Sequence, residues 1–408
     1  MPEAFETTIT RLGAQGDGEA QGPHGILHIP FALPGETVRL AIEGKAATLE
    51  AVLAPAPERV APACTVFGRC GGCQLQHLAA PAIADFKRGL VRTALAHRGF
   101  ADAVVEPTLS LAAGDRRRAK FSVMRLGKRI LFGFRERRQH RLVDVETCPA
   151  ILPGLNRLIA PLRALAARIP FETAMVTVLP GGTDLVLEGK IRLDLDARLD
   201  LADFAQSADI ARITADGEVV LERHAPSLRL GDVPVTPAPG GFLQPSESGE
   251  AALVGAVLAR LGEGHRRAVD LFAGCGTFAL ALARHLPVAA FEGDAPAVAA
   301  LERALRQARG LKPVTAARRD LYRRPVEAVE FTADDVVVID PPRDGAEAQC
   351  RTLAASEVRR IVAVSCNPAS FARDARILAE AGFTLGPVQP VDQFAWSSHV
   401  ELVTVLTR

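Results

Sequence analysis

The sequence predicts an α/β protein in which a doubly wound, mostly parallel sheet follows two β-rich regions. Three observations predict it. From about residue 249, apolar strand-like runs alternate with helical periodicity. A glycine turn, Gly274-Cys275-Gly276, separates one such run from the next helical pattern. Before Pro55, short runs are broken by glycine and proline turns.

A chain of 408 residues exceeds one ordinary core, so two or three domains are expected. In residues 1–54, strands are expected over 26–31, 36–42 and 47–53. Gly16, Gly18, Gly22, Gly25, Pro34-Gly35 and Gly44 supply the turns. The pattern fits a small β-barrel of the OB type, which often binds oligonucleotides. Ala54-Pro55-Ala56-Pro57 reads as a linker. A central region, 55–238, opens with cysteines over 62–80 and an amphipathic helix over 81–99. Short strands over 118–142, a helix over 152–168 and a strand-rich stretch over 170–235 follow. The last region, 239–408, has helices expected over 249–262, 277–286 and 295–309. Its strands are expected over 267–272, 287–292, 335–340 and 361–365, with a closing antiparallel pair over 391–394 and 400–406.

Composition narrows the class. Hydrophobic residues make up 48% and charged residues 23%, as in globular proteins. No apolar run reaches the ~18 residues that span a bilayer. The first ten residues carry no basic flank or apolar segment of a secretory signal, so the cytoplasm is expected. Seven cysteines in such a chain argue against a disulfide framework. Net charge is only +1, but basic residues cluster. Arg116, Arg117, Arg118 and Lys120 precede Lys128, Arg129, Arg135, Arg137, Arg138 and Arg141, with Phe121, Phe132 and Phe134 interleaved. Such a patch could neutralise phosphates, or be a solvated face.

Cys366 follows the apolar run Ile361-Val362-Ala363-Val364, and Asn367-Pro368 turns the chain after it. A thiolate at a strand end is placed to attack an electron-poor ring carbon. Asp340-Pro341-Pro342 would hold a carboxylate stiffly at another strand end. In the loop after Asp270, Gly274 and Gly276 admit close ligand approach, while Ala279 replaces the third glycine of a dinucleotide fingerprint. Glu292 ends the next strand, where an acid can accept from ribose hydroxyls, and Asp320 follows a third. The pattern is similar to that of S-adenosylmethionine-dependent methyltransferases, with a nicotinamide dinucleotide site as the alternative. Cys64, Cys70, Cys73 and Cys148 form a four-thiol set that fits an iron–sulfur cluster or structural zinc. Cys275 and Cys350 have no motif partners and read as structural.

DLFAGCGTF, DPPRDGA, SCNPASFARD and HVELVTVL occur in the order seen in uracil-5 RNA methyltransferases. ALPGE and CTVFGRCGGCQLQHL resemble the iron–sulfur branch of that family, which acts on 23S ribosomal RNA. The resemblance implies a Rossmann-like class I methyltransferase domain, an N-terminal TRAM-like barrel and a central iron–sulfur domain, in a monomeric RNA-binding enzyme. It implies Cys366 as nucleophile and Glu401 as proton-abstracting base. Gln244, Phe272, Thr277, Glu292, Asp320 and Asp340 stand where the family binds S-adenosylmethionine. Cys64, Cys70, Cys73 and Cys148 match ligands of a [4Fe–4S] cluster, with Gly71-Gly72 letting backbone amides reach its sulfurs. Thr277 and Asp320 stand where asparagine is common, and Pro245-Ser246 replaces a frequent Val-Asn. The expected product is 5-methyluridine in 23S ribosomal RNA. Alternatives are a transfer RNA substrate, cytosine-5 methylation, or an inactive RNA-binding iron–sulfur protein. The target base must leave its stack, and Phe242 could stack on it or pack in the core.

Overall fold

The computed structural model describes residues 3–43, 46–137 and 139–408. Gly44 and Arg138, singled out above, lie outside the described residues. Two three-stranded antiparallel sheets organise the N-terminal unit. One joins Glu3–Thr8, Thr37–Glu43 and Ala46–Ala54; the other joins Arg11–Leu12, Gly18–Gly22 and Gly25–Ile29. Ile9, Leu27, Ile29, Val38 and Leu40 fill a core common to both. The strand Glu3–Thr8 was not foreseen, because Phe5 is its one large apolar residue.

The central region is built on a seven-stranded sheet. Its order is Leu142–Asp144, Arg129–Arg135, Arg118–Leu126, Thr173–Leu179, Gly182–Glu188, Ile210–Ala215 and Glu218–Glu222. Gly182–Glu188 and Ile210–Ala215 are parallel, which requires a crossover. The helix Leu195–Ser207 makes it, within a stretch expected to be strands. The Asp194 carboxylate accepts from the Ala197 amide and starts that helix, and Leu201, Phe204 and Ala205 bury one face.

The basic–aromatic stretch is largely spent on this fold. Phe121 and Phe132 are fully buried and stack at 4.9 Å, with Phe134 at 5.1 Å from Phe121. They are core residues and do not interleave a surface patch. Arg117 is buried against Glu250, Arg118 donates to the carbonyls of Gly240 and Gly241, and Arg137 pairs with Asp17. Lys128, Arg129, Arg135 and Arg141 stay exposed.

The third sheet carries the site. Five strands run parallel in the order Val314–Arg318, Val288–Glu292, Arg267–Leu271, Asp335–Ile339, Arg360–Ser365. Glu401–Thr407 joins antiparallel to the last of these, and Gln389–Asp392 pairs antiparallel with it. Apolar cores cover both faces. Val336, Val338 and Leu280 lie in one; Val337, Ile361 and Phe371 lie in the other.

Three segments cross the domain limits expected from sequence. Leu109–Ser110 adds in parallel to Gln389–Asp392 at the sheet edge. The helix Ala80–Ala96 buries Val91 and Leu95 in the core that holds Phe371 and Leu378. Lys87 on that helix forms a buried ion pair with Asp392. The hairpin Leu228–Leu230/Val233–Val235 also packs on the C-terminal core, and a Cβ at Gly231 would strike the Leu280 backbone at 2.8 Å. Short apolar elements bury against the nearest large apolar surface, and here that surface is the parallel sheet. Among the described residues, no helix is long and apolar enough to cross a membrane.

Candidate active site

The carboxyl ends of the five parallel strands meet at one edge, the place where open α/β sheets bind ligands. Phe272, Glu292, Asp320, Asp340 and Cys366 all lie at or just beyond those ends. Glu401 arrives from the opposite direction. It opens an antiparallel strand, so its first residue lies at the same edge.

Cys366 is half-buried between Ser365 and Asn367. Burial pushes its thiol up to about 11; Glu401 and Asp340 push it further, and the Arg343 guanidinium pulls it down. Asn367 Oδ1 accepts from the Ala369 amide and caps the helix Pro368–Glu380. Asn367 Nδ2 and Ser370 Oγ both donate to the Arg343 carbonyl, each at 2.9 Å. The Ser-Cys-Asn-Pro run thereby ties the Asp340 turn to the thiol. The Arg343 guanidinium contacts His399 Nδ1 at 2.6 Å.

Glu401 is 5% exposed. Burial lifts its carboxyl to about 8, Asp340 adds to the lift, and a hydrogen bond with Gln393 and the charge of Arg343 oppose it. Burial lifts Asp340 to about 7. Gln244 Nε2 lies 3.4 Å from Asp340 Oδ2, and Gln393 Nε2 donates to Gln244 Oε1 at 3.0 Å. Arg117 fixes the other side of Gln244, donating to its carbonyl at 2.9 Å. Gln393 thus joins Gln244 to Glu401. Sequence reasoning passed over it, because a glutamine just beyond a short strand carries no periodic signal.

The cofactor loop is shaped to receive a ligand. Phe272 has φ 65° and Gly276 φ 105°. A side chain at Gly276 would collide with Leu301 at 2.7 Å, whereas Gly274 faces open space. Phe272 lies 5.6 Å from Tyr322, and Thr277 begins the following helix, Thr277–Leu282. The two Glu292 oxygens accept from the amides of Gly274 (2.8 Å) and Asp294 (2.7 Å). Each keeps a second lone pair for a hydroxyl. Asp320 is exposed and accepts from the Tyr322 amide at 3.1 Å. Asp270 is fully buried, and neither carboxyl oxygen has a hydrogen-bond partner among the described residues. Burial foremost and the Asp340 charge next push Asp270 up to about 8. An unsatisfied acid beside an open glycine loop suits a cationic ligand.

A cleft of about 1490 Å³ opens over Cys366. Arg343, Asn367 and His399 line one wall, Ala82, Phe86 and Leu90 of the helix Ala80–Ala96 another, and Thr10, Leu12 and Pro34 a third. Phe272, Glu292 and Asp320 do not line it. Phe242 is 71% exposed, so core packing does not account for it.

The four cysteines set apart by sequence are free and half-buried. Burial pushes Cys73 up to about 12, and the charges of Cys148, Cys70 and Cys64 add to the rise, so the four thiols share one neighbourhood. The Gly72 amide points at Cys70 Sγ at 3.5 Å, and Asn156 clasps the backbone of Cys148. Among the described residues, no three His, Cys, Asp or Glu side chains stand where they could hold a metal ion. Cys275 and Cys350 are buried in the C-terminal cores.

Comparison with known proteins agrees with this geometry. Residues 233–408 match the family described as tRNA (Uracil-5-)-methyltransferase. The chain is 44% identical to an uncharacterized RNA methyltransferase of Rhizobium meliloti, over 98% of this chain and 99% of that one. It is 35% identical to the 23S rRNA (uracil(1939)-C(5))-methyltransferase RlmD of Chromohalobacter salexigens, over 98% of this chain and 89% of that one. The fold is similar to that of the Pyrococcus abyssi tRNA (uracil-54, C5)-methyltransferase solved with S-adenosyl-L-homocysteine. The TM-score is 0.77 at 23% identity, over 98% and 99% of the two chains. Fold and relatives together define an S-adenosylmethionine-dependent methyltransferase. The chain belongs to the RNA (uracil-5-)-methyltransferase family.

Proposed function

We propose that this enzyme forms 5-methyluridine in 23S ribosomal RNA, with Cys366 as nucleophile and Glu401 as base. The observation that carries the reading is the antiparallel register that brings Glu401 toward Cys366, which lines an open cleft. Gln244, Phe272, Thr277, Glu292, Asp320 and Asp340 would hold S-adenosylmethionine. When bound, it supplies an electrophilic methyl group beside a cation. A cation beside Asp340, a partly buried acid lifted to about 7, would draw its carboxyl back toward the charged form.

The chain's own groups do the rest. The Cys366 thiolate adds to C6 of the uracil, and the electron pair moves to C5 and O4. C5 then takes the methyl group. Glu401 removes the C5 proton, the C5–C6 double bond re-forms, and the C6–S bond breaks to return the thiolate. Phe242, exposed near Gln244, would stack on the extruded base. RNA enters by the cleft between the N-terminal unit, a TRAM-like barrel in this reading, and the helix Ala80–Ala96.

The ribosomal substrate rests on the full-length relative that bears that name. A transfer RNA substrate is the second reading, favoured by the similarly shaped Pyrococcus abyssi enzyme. Cys64, Cys70, Cys73 and Cys148 would hold a [4Fe–4S] cluster, whose donor set is four thiolates. The support is their common neighbourhood and the Gly72 amide aimed at a sulfur.

The deciding experiment incubates RNA with the wild type, Cys366→Ser and Glu401→Gln. The wild type should release 5-methyluridine. Glu401→Gln should accumulate a methylated RNA–protein adduct, and Cys366→Ser should form none. Mapping 5-methyluridine in a deletion strain names the RNA: loss at one ribosomal position supports this reading, and loss only in transfer RNA overturns it.

A further inference from the structure

The segment that delivers Gln393 and Glu401 to the site, residues 392–400, has little regular structure of its own. It is held from outside. The carbonyl of Trp396 accepts two hydrogen bonds, from the amides of Gln74 (2.8 Å) and Leu75 (2.9 Å). Those amides belong to the two residues that follow Cys73. The Trp396 backbone has φ 63°, in the left-handed region that non-glycine residues rarely occupy. A residue persists there only when its surroundings hold it. The Trp396 side chain packs with Leu75, Leu78 and Ile83. A third tie comes from Lys87 Nζ, which donates to the Phe394 carbonyl at 3.0 Å. A fourth is Arg116, whose guanidinium lies 5.9 Å from the Phe394 ring centroid and feels the charges of Cys148 and Cys73.

Cys366 meets this loop through Arg343, whose guanidinium contacts His399. Cys366 itself ends a central strand, between Asp335–Ile339 and Glu401–Thr407. Glu401 is paired with Val391 at the first position of its strand, so what the pinned loop adds is the placement of Gln393, the hydrogen-bond partner of Glu401.

We propose that Trp396 is a positioning residue, whose main-chain carbonyl, clasped by the amides after Cys73, sets the place of Gln393 and Glu401. The four-cysteine region thereby acts on release of the product, through Gln393 and Glu401. This rests on the roles proposed above for Cys366 and Glu401.

The chain holds one tryptophan, so its fluorescence reports on this clasp alone. The test compares full-length Gln74→Pro, which deletes one amide donor and keeps all four cysteines, with Gln74→Ala, which keeps the amide. Cys73→Ser, checked for fold by circular dichroism, is the third variant. Gln74→Pro and Cys73→Ser should shift Trp396 emission to the red and raise the steady-state adduct at least severalfold. Both should lower kcat more than they change KM. Gln74→Ala should retain the wild-type emission. Unchanged emission in both variants overturns the proposal, as does shifted emission with adduct at the wild-type level. Failure of Glu401→Gln to trap any adduct would count against the catalytic roles themselves, and emission would still report the clasp.

Discussion

Cys366 and Glu401 stand opposite each other, one residue beyond the Ser365–Leu402 pair of the antiparallel ladder. Glu401 raises the proton affinity of Cys366, and Asp340 raises that of both. Two such groups resist being ionised together. In the proposed reaction, that coupling would set the order of the steps. A thiolate is disfavoured while Glu401 is charged, so attack suits a protonated Glu401. Once the sulfur is bonded to carbon, its charge is gone and Glu401 can ionise to act as base.

The first prediction concerns attack. With the thiol near 11, only a small fraction is thiolate at neutral pH. Adduct formation by Glu401→Gln in single turnover should rise about tenfold per pH unit between pH 6 and 9. A flat profile over that range would sink the idea.

A second prediction follows from Arg343, the cation that lowers the Cys366 thiol. Arg343→Ala should slow adduct formation about tenfold at fixed pH, equivalent to about one pKa unit. Arg343→Lys should restore part of the rate. Rapid-quench gels read both.

Third, Glu401 should weaken the fold at alkaline pH. Its folded pKa, about 8, lies above the unfolded value near 4.5. Its stabilising share is complete below the unfolded value and is lost as pH rises through about 8. Glu401→Gln lacks that loss. The variant should gain on the wild type progressively between those limits, by roughly a few kcal/mol above pH 8, as denaturant melts at pH 5, 7 and 9 would reveal.

Fourth, the arginines of the central region divide by task. Lys128→Ala with Arg129→Ala should weaken RNA binding and reduce the salt slope by roughly 1–2, while stability holds. Arg117→Ala should strand Glu250 in the interior and cost about 3–5 kcal/mol. Salt-dependent binding and thermal melts separate the two classes.

A fifth prediction addresses the thiols. Protein purified without oxygen should be brown and hold about four irons, with the colour lost in Cys148→Ser. A colourless protein that carries zinc would overturn the cluster.

Much of the sheet was legible because its strands are apolar and its turns carry glycine, proline or asparagine. The strands expected over 335–340 and 361–365 match Asp335–Ile339 and Arg360–Ser365 to within a residue. Cys366, Asp340 and Glu292 were findable because motifs mark strand ends. Gln393, Lys87 and Trp396 were not, since their importance comes from partners hundreds of residues away. The Phe121–Phe132–Phe134 stack was misread for a related reason. Alternation with arginine looks the same whether the aromatic face points to solvent or to a second layer. Leu195–Ser207 was hidden by strand-like neighbours on both sides.

The edge strand Leu109–Ser110 bears on how the protein is made. Its partner, Gln389–Asp392, leaves the ribosome long after it, and Lys87 meets Asp392 across 305 positions of chain. Until then Val91 and Leu95 have no sheet to rest on. The nascent chain must carry that apolar helix until Asp392 follows it by 305 positions, at ~5–20 residues per second, exposed to chaperones and to its own neighbours. The edge of the sheet thus closes only after Gln389–Asp392 has emerged, so nascent products that stop short of it cannot assemble it.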